Sequence, residues 1–261
     1  MTEKRGIFIT FEGGDGVGKS THIRFLANAL ESQGFEVLCL REPGGTAIGE
    51  SLRSIVLDPA HEAMAPEAEL LIYEAARAQI VAEVIRPALD RGAVVLCDRF
   101  FDSTVAYQAF GRGLDRAFVD AANGFATGGL TPDRTILLTL GEASQGADAG
   151  LGRAAGRADA DRLELAGHDF HTRVATGFLA LAEEYPERVR AVDSSGDRSL
   201  TSAMIFHELS DLFAWMRDAS VCSEEFFAVL DSPFGAPGGG LLPGHAAGNV
   251  GSAEQGGGAR G

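Results

Sequence analysis

Basic residues are scarce in this chain: 22 Lys and Arg stand against 37 Asp and Glu, a formal net charge of −15 over 261 residues. Nucleic acids and anionic membranes attract basic surfaces, so neither is an expected partner. A small phosphorylated ligand needs only a few local cations and remains within reach. Cysteine is sparse too. Cys39, Cys97 and Cys222 have no paired spacing, which argues against a disulfide framework or a zinc site. Cys39 and Cys97 fall inside apolar runs and read as reduced core thiols. No apolar run approaches membrane-spanning length, and the N-terminus lacks a signal-peptide core. A soluble cytoplasmic protein is the expectation. Internal repeats are also absent, while an apolar content of 45% is ample for one α/β domain.

Against these absences stands one dense motif. Gly13, Gly14, Asp15, Gly16, Val17, Gly18, Lys19 and Ser20 form an unbroken G-x-x-x-x-G-K-S phosphate-binding loop. The run 6–12 before it is β-branched and aromatic, as a buried parallel strand should be. The run 19–33 after it sets Ile23, Leu26, Ala27 and Leu30 at helical spacing and stops before Gly34. Glycines let backbone N–H groups curl around phosphate oxygens, and the helix start adds a favourable dipole. Lys19 is placed to reach the outer phosphates of a nucleoside triphosphate, and the Ser20 hydroxyl to hold Mg²⁺.

Further strand-like runs recur at 35–41, 93–98, 135–140 and 189–192, with helical stretches between them. Five strands alternating with helices predict a parallel sheet covered on both faces. A long amphipathic stretch covers about 66–90. Residues 147–161 are rich in Gly, Ala, Arg and Asp and form an expected mobile surface segment. From Ser232 onward Gly, Pro and Ala predict a disordered tail. The acidic-flanked apolar cluster at 224–231 either docks back on the domain or contacts a partner, docking being the simpler reading.

Chemistry-bearing residues gather at strand ends, where open α/β sheets bind ligands. Asp98 and Arg99 end the third strand beside the phosphate loop. There a carboxylate can hold Mg²⁺ and an arginine can clamp a second phosphate; a structural ion pair is the alternative. The second strand ends in Arg41-Glu42-Pro43-Gly44-Gly45-Thr46, with Arg53 following. Tyr73 and Arg77 are four apart on one helix face, with Gln79 close by. They read either as a ring and guanidinium for a base and its phosphate, or as a core aromatic with a neighbour. Arg153, Arg157 and Arg162 make 147–163 either a solvated loop or a lid that brings cations onto a transferring phosphoryl group. His168 and His171 lack a third ligand and read as a helix face. A nucleotide switch would need an Asn-Lys-x-Asp segment or a switch glutamine, and neither is present.

In order, Phe-Glu-Gly before the loop, Arg-Glu-Pro-Gly-Gly-Thr, Leu-Leu-Ile-Tyr-Glu-Ala-Ala-Arg-Ala-Gln, Asp-Arg-Phe…Ser…Ala-Tyr-Gln and Asp-Arg-Leu-Glu resemble the bacterial thymidylate kinases, over about residues 5–213. The resemblance implies a three-layer α/β P-loop kinase fold with a five-stranded parallel sheet and a mobile lid at about 147–163. It implies a kinase domain over 1–217, followed by an extension at 218–261. It further implies synthesis of dTDP from dTMP with ATP and Mg²⁺, by a homodimer built on helix contacts. On this likeness Glu12 and Asp15 flank the phosphate site, with Asp15, Ser20 and Asp98 around the metal. Arg41, Arg53 and Arg99 approach the acceptor phosphate, Tyr73 stacks on thymine, and Arg77 contacts the base. Ser103, Tyr107 and Gln108 surround base and sugar, with Tyr107 disfavouring a ribose 2′-OH. Some family members carry an arginine at the position of Gly16. Here the catalytic cations are therefore expected to be Lys19 with Arg153 and Arg157, while Arg162 is positional. Thr139, where the family has an acidic residue, and Phe100, where tyrosine or histidine is commoner, depart from the pattern.

Overall fold

Five parallel strands form one sheet in the order β2-β3-β1-β4-β5. They are β1 (Ile7–Glu12), β2 (Val37–Arg41), β3 (Val94–Asp98), β4 (Arg134–Thr139) and β5 (Val189–Asp193). The computed structural model describes residues 5–141 and 161–231. Each strand lies within two residues of its predicted range. Helices on both faces are α1 (Lys19–Ser32), α2 (Ala47–Leu57), α3 (Pro66–Ile80), α4 (Arg86–Asp90) and α5 (Phe101–Thr104). They continue with α6 (Arg116–Thr127), α7 (His168–Glu184), α8 (Arg198–Leu209) and α9 (Glu224–Ala228). A π-helical turn at Val81–Ile85 joins α3 to α4, so the stretch 66–90 is one helical path with a local widening. A second widened segment, Val105–Gly111, continues α5 and carries Tyr107 and Gln108. Such segments concentrate at functional sites.

The strand period of two sorts β1 between the layers. Ile9 and Phe11 pack with Ile23, Leu26 and Leu30 of α1 and with Phe206 of α8. Phe8 points the other way, onto Ile80, Ile85 and Phe100. Burying each such side chain contributes about 1.5–3 kcal/mol. The register pairs Phe11 with Asp98, and Asp98 with Arg41, so three strands end at one edge. The crossover leaving β1 runs toward β2, while the one leaving its neighbour β3 runs back past β1 to β4, so the two diverge and open a crevice at the ends of β1 and β3.

The cluster at 224–231 docks on the domain. Phe227 and Leu230 are buried, and the Phe226 and Phe227 rings lie 5.1 and 6.0 Å from Phe25 of α1. Cys97 is a core thiol, as expected, but Cys39 is exposed. The reason is topological: β2 is an edge strand, at the margin of the layers that bury the central strands. All three cysteines are free.

Candidate active site

The phosphate loop takes backbone angles that require glycine. Gly13 and Gly18 have φ of 121° and 101°, and a Cβ on Gly13 would collide with the Leu138 carbonyl oxygen. Lys19, the first residue of α1, folds back so that Nζ donates to the Gly14 and Gly13 carbonyls at 2.8 and 3.1 Å. Burial and the Arg99 charge draw its ammonium down to about 8, against Asp98, Asp15 and Glu12, so it stays largely charged at neutral pH. Ser20 Oγ donates to Asp98 Oδ2 at 3.1 Å, joining the helix start to the end of β3.

Arg99 binds this centre together. Nη2 donates to Asp15 Oδ1 at 2.7 Å, while Nη1 donates to the Gly13 carbonyl at 3.1 Å and to Ser103 Oγ at 3.2 Å. Its guanidinium carbon lies 5.2 Å from the centroid of the Tyr107 ring. Burial alone would raise the Asp15 carboxyl, but Arg99 and then Lys19 hold it at about 2. Among the described residues, Arg99 is the one non-glycine residue with positive φ, at 70°. That conformation costs about 1–2 kcal/mol, and such strain concentrates where a side chain must be aimed for function.

Glu12 lies beneath the cavity and does not line it. It shares the face of Phe8 and Thr10, is fully buried, and accepts from Phe100 N at 2.7 Å and Ser103 Oγ at 2.6 Å. Its carboxyl thus fixes the turn that carries Arg99. Burial, with repulsion from Asp102, pushes it up to about 7 from an ordinary 4.5, against Arg99 and the two donors. Between those values the unfolded chain gives up a proton that the folded chain keeps. Glu12 therefore subtracts stability as pH rises through this window, by up to about 3 kcal/mol at its end. Glu12→Gln removes the titration. Denaturant unfolding should show the variant gaining on wild type between pH 4.5 and about pH 7, whereas a constant difference contradicts the assignment.

The far side of the crevice carries the second group of cations. Arg41 donates from Nη2 to both Glu50 oxygens, at 3.2 and 3.1 Å, and stays half-exposed. Arg53 Nη1 donates to the Pro43 carbonyl at 2.8 Å. Arg77 is 2% exposed and committed to a buried network. Nε donates to Glu42 at 2.9 Å, and Nη1 reaches Glu74, Thr104 and Asn123 at 2.7, 2.8 and 3.0 Å. Burial opposes its charge, but Glu42 and Glu74 more than compensate and hold it protonated. Little of this guanidinium is free to grip a phosphate; the portion on the cavity wall can meet a base edge. Tyr107 packs edge-on against Phe170 and Phe178. Gln108 donates to Glu69, which is also ion-paired with Arg112 and Arg162. Arg162 further donates to the Val56 carbonyl. Gln79 instead donates to Glu83 on its own helix surface, away from the site.

These groups surround a cavity of about 800 Å³. Asp15, Gly16, Val17, Gly18, Lys19, Ser20, Asp98 and Arg99 are among its lining residues, as are Arg41, Arg53, Tyr73, Arg77, Ser103, Tyr107 and Gln108. Gly13 and Gly14 contribute through their carbonyls behind Lys19. Arg153 and Arg157 lie outside the described residues. Sequence reasoning missed the end of the cavity beyond the loop, formed by His22, Ser194, Gly196, Arg198 and Thr201. The available signal was the polar Ser-Ser-Gly that follows β5 at the same sheet edge. No cluster of three or more His, Cys, Asp or Glu able to hold a metal occurs among the described residues. The Ser20–Asp98 pair nonetheless fits Mg²⁺, which takes oxygen ligands and fills its shell with phosphates and water. Asp15, the third metal candidate, is occupied by Arg99.

Comparison with known proteins agrees with this geometry. The thymidylate kinase family model matches residues 11–205. A thymidylate kinase of Pseudomonas fluorescens (strain SBW25) is 50% identical over 190 residues, covering 73% of this chain and 88% of its own. One from Gloeobacter violaceus is 49% identical over 201 residues, covering 76% and 92%. The crystal structure of thymidylate kinase from Ehrlichia chaffeensis superposes with a TM-score of 0.62 at 29% identity, over 79% of this chain and 99% of that one. The match runs through the same strands and helices that build the cavity, and the chain belongs to the thymidylate kinase family of nucleoside-monophosphate kinases.

Proposed function

We propose that this dTMP kinase takes its phosphoryl group from ATP, with Mg²⁺ held at Ser20 and Asp98, and divides its cavity at Arg99 into donor and acceptor halves. The observation that carries this reading is the position of Arg99, hydrogen-bonded to the phosphate loop at Gly13 and Asp15 and in contact with Tyr107 and Ser103 opposite. The loop N–H groups and Lys19 hold the donor phosphates. Arg99, Arg41 and Arg53 orient the acceptor phosphate, and Tyr73 stacks on the base, with the Arg77 edge, Ser103 and Gln108 around it. Tyr107 closes the space a 2′-OH would need. The acceptor phosphate is itself the nucleophile, so no protein nucleophile is required, and positioning plus charge neutralisation supply the catalysis. Bound Mg²⁺ would supply neutralisation of charge on the donor oxygens.

The test is ADP release with dTMP, dUMP, UMP, CMP, AMP and GMP as acceptors. The best kcat/KM should belong to dTMP, with dUMP the nearest competitor, because one methyl discriminates by only about 1–3 kcal/mol. Another best acceptor would overturn the base assignment. Arg153 and Arg157 are proposed to act in the transition state, since Gly16 leaves the loop without an arginine of its own. Replacing either with Ala should lower kcat more than it raises KM; unchanged kcat in both would leave 147–163 a solvated loop.

A homodimer is proposed on the face of α3 and α6. These helices pack together and expose Phe125 (91%), Leu71 (58%) and Phe118 (57%), an apolar set that favours a partner surface. Sedimentation equilibrium tests this, and a monomer at micromolar concentration would refute it. A cytoplasmic location fits free cysteines and the lack, among the described residues, of a helix able to cross a membrane; recovery in the membrane fraction would contradict it.

A further inference from the structure

The family match ends at residue 205, yet the described fold continues to Asp231. The added residues wedge against the two helices whose starts line the donor half of the cavity. Phe226 and Phe227 reach Phe25 of α1, at 5.1 and 6.0 Å, and Phe206 of α8, at 5.7 and 5.2 Å. Trp215 adds an edge contact to Phe206 at 5.9 Å. Nearer the cavity, His22 Nδ1 and Ser202 Oγ bridge the same helices at 2.8 Å. The segment ends at the start of α8. There Asp197, the N-cap residue, makes no side-chain capping bond, and Asp231 Oδ1 instead accepts from Ser199 N at 3.3 Å. An N–H in the first helical turn has no partner within its own helix, so a carboxylate from another element can serve as its cap. Ser199 follows Arg198, which lines the cavity.

We infer that residues 214–231 are a brace for the donor subsite. The aromatic wedge sets the spacing of α1 and α8, and Asp231 is a positioning residue that holds the α8 start, with Arg198 and Thr201, against the donor nucleotide. The inference rests on the assignment of ATP to this half of the cavity.

The test titrates the full chain and its variants separately with a fluorescent ADP analogue and with dTMP. Asp231→Ala should weaken ADP binding by about threefold to tenfold, the range expected for a lost helix cap. dTMP binding should stay within about twofold, as for a substitution remote from the acceptor half. Asp231→Asn keeps the acceptor oxygen and should restore ADP binding. Phe226→Ala, which thins the wedge, should also weaken ADP binding selectively. Unchanged ADP binding in both Ala variants would overturn the brace, as would equal losses for ADP and dTMP. Wild type that binds ADP but leaves dTMP unphosphorylated defeats the assigned reaction and not the brace. Wild type that binds no ADP defeats both.

Discussion

Lys19→Met is expected to lower kcat by roughly 10²- to 10³-fold, the scale seen when one preorganised electrostatic group is removed from a transition state. The ammonium stands 2.8 and 3.1 Å from two loop carbonyls, its position fixed by the glycine-rich backbone. Methionine keeps the apolar stem of the side chain and deletes the charge. Lys19 is the sole lysine among the described residues, and the neighbouring Arg99 is held by Asp15, Gly13 and Ser103. Neutralisation matters most when charge moves from donor to acceptor, so kcat should fall further than nucleotide affinity. Wild-type kcat/KM should also decline above about pH 8, where the Lys19 ammonium of the free enzyme loses its proton. Steady-state rates, with circular dichroism to verify folding, check both points. A Lys19→Met enzyme within about tenfold of wild type would remove Lys19 from the catalytic account.

Arg99→Ala is expected to reduce kcat/KM for dTMP by roughly 10²- to 10³-fold while ADP binding falls far less. The guanidinium is held from one side by Asp15 and Gly13 and from the other by Ser103 and lines the cavity, which leaves its remaining N–H groups for the proposed acceptor phosphate. Its removal also frees Asp15, whose carboxyl should rise from about 2 toward the ordinary range. Ala keeps the Cβ that strains a positive φ, so the substitution removes contacts without relieving strain, and some loss of stability should accompany the loss of activity. Parallel losses in dTMP and ADP binding would instead make Arg99 a general support of the loop.

Much of this layout was legible because it follows from local rules. The loop glycines, the alternation of strands and helices, and the polar residues at the ends of β1, β2 and β3 each carry their own signal. Asp98 and Arg99 could be placed beside the loop because parallel strands end at one edge. Residues whose role depends on remote partners were harder to read. Glu12 belongs to the Phe-Glu-Gly signature, but its task is to hold Phe100 and Ser103 from below, which only the β1–β3 pairing reveals. Arg77 read as free to meet a ligand, whereas Glu42, Glu74, Thr104 and Asn123 converge on it from three other parts of the chain and one turn of its own helix. A pair of arginines can look identical in sequence and differ entirely in which carboxylates surround them. Cys39 was misread because an apolar strand does not announce whether it is central or at the edge. The end of the cavity beyond the loop was missed because the β5–α8 turn is brought beside the loop by sheet order.

One cavity is proposed to hold donor and acceptor together, end to end across Arg99, for direct transfer. A single molecule carrying adenosine and thymidine joined through a chain of phosphates tests it most directly. Such a ligand should bind once per chain and compete with both ATP and dTMP. Competition with only one of them, or binding to the chain alongside dTMP, would contradict a shared cavity and the transfer built on it.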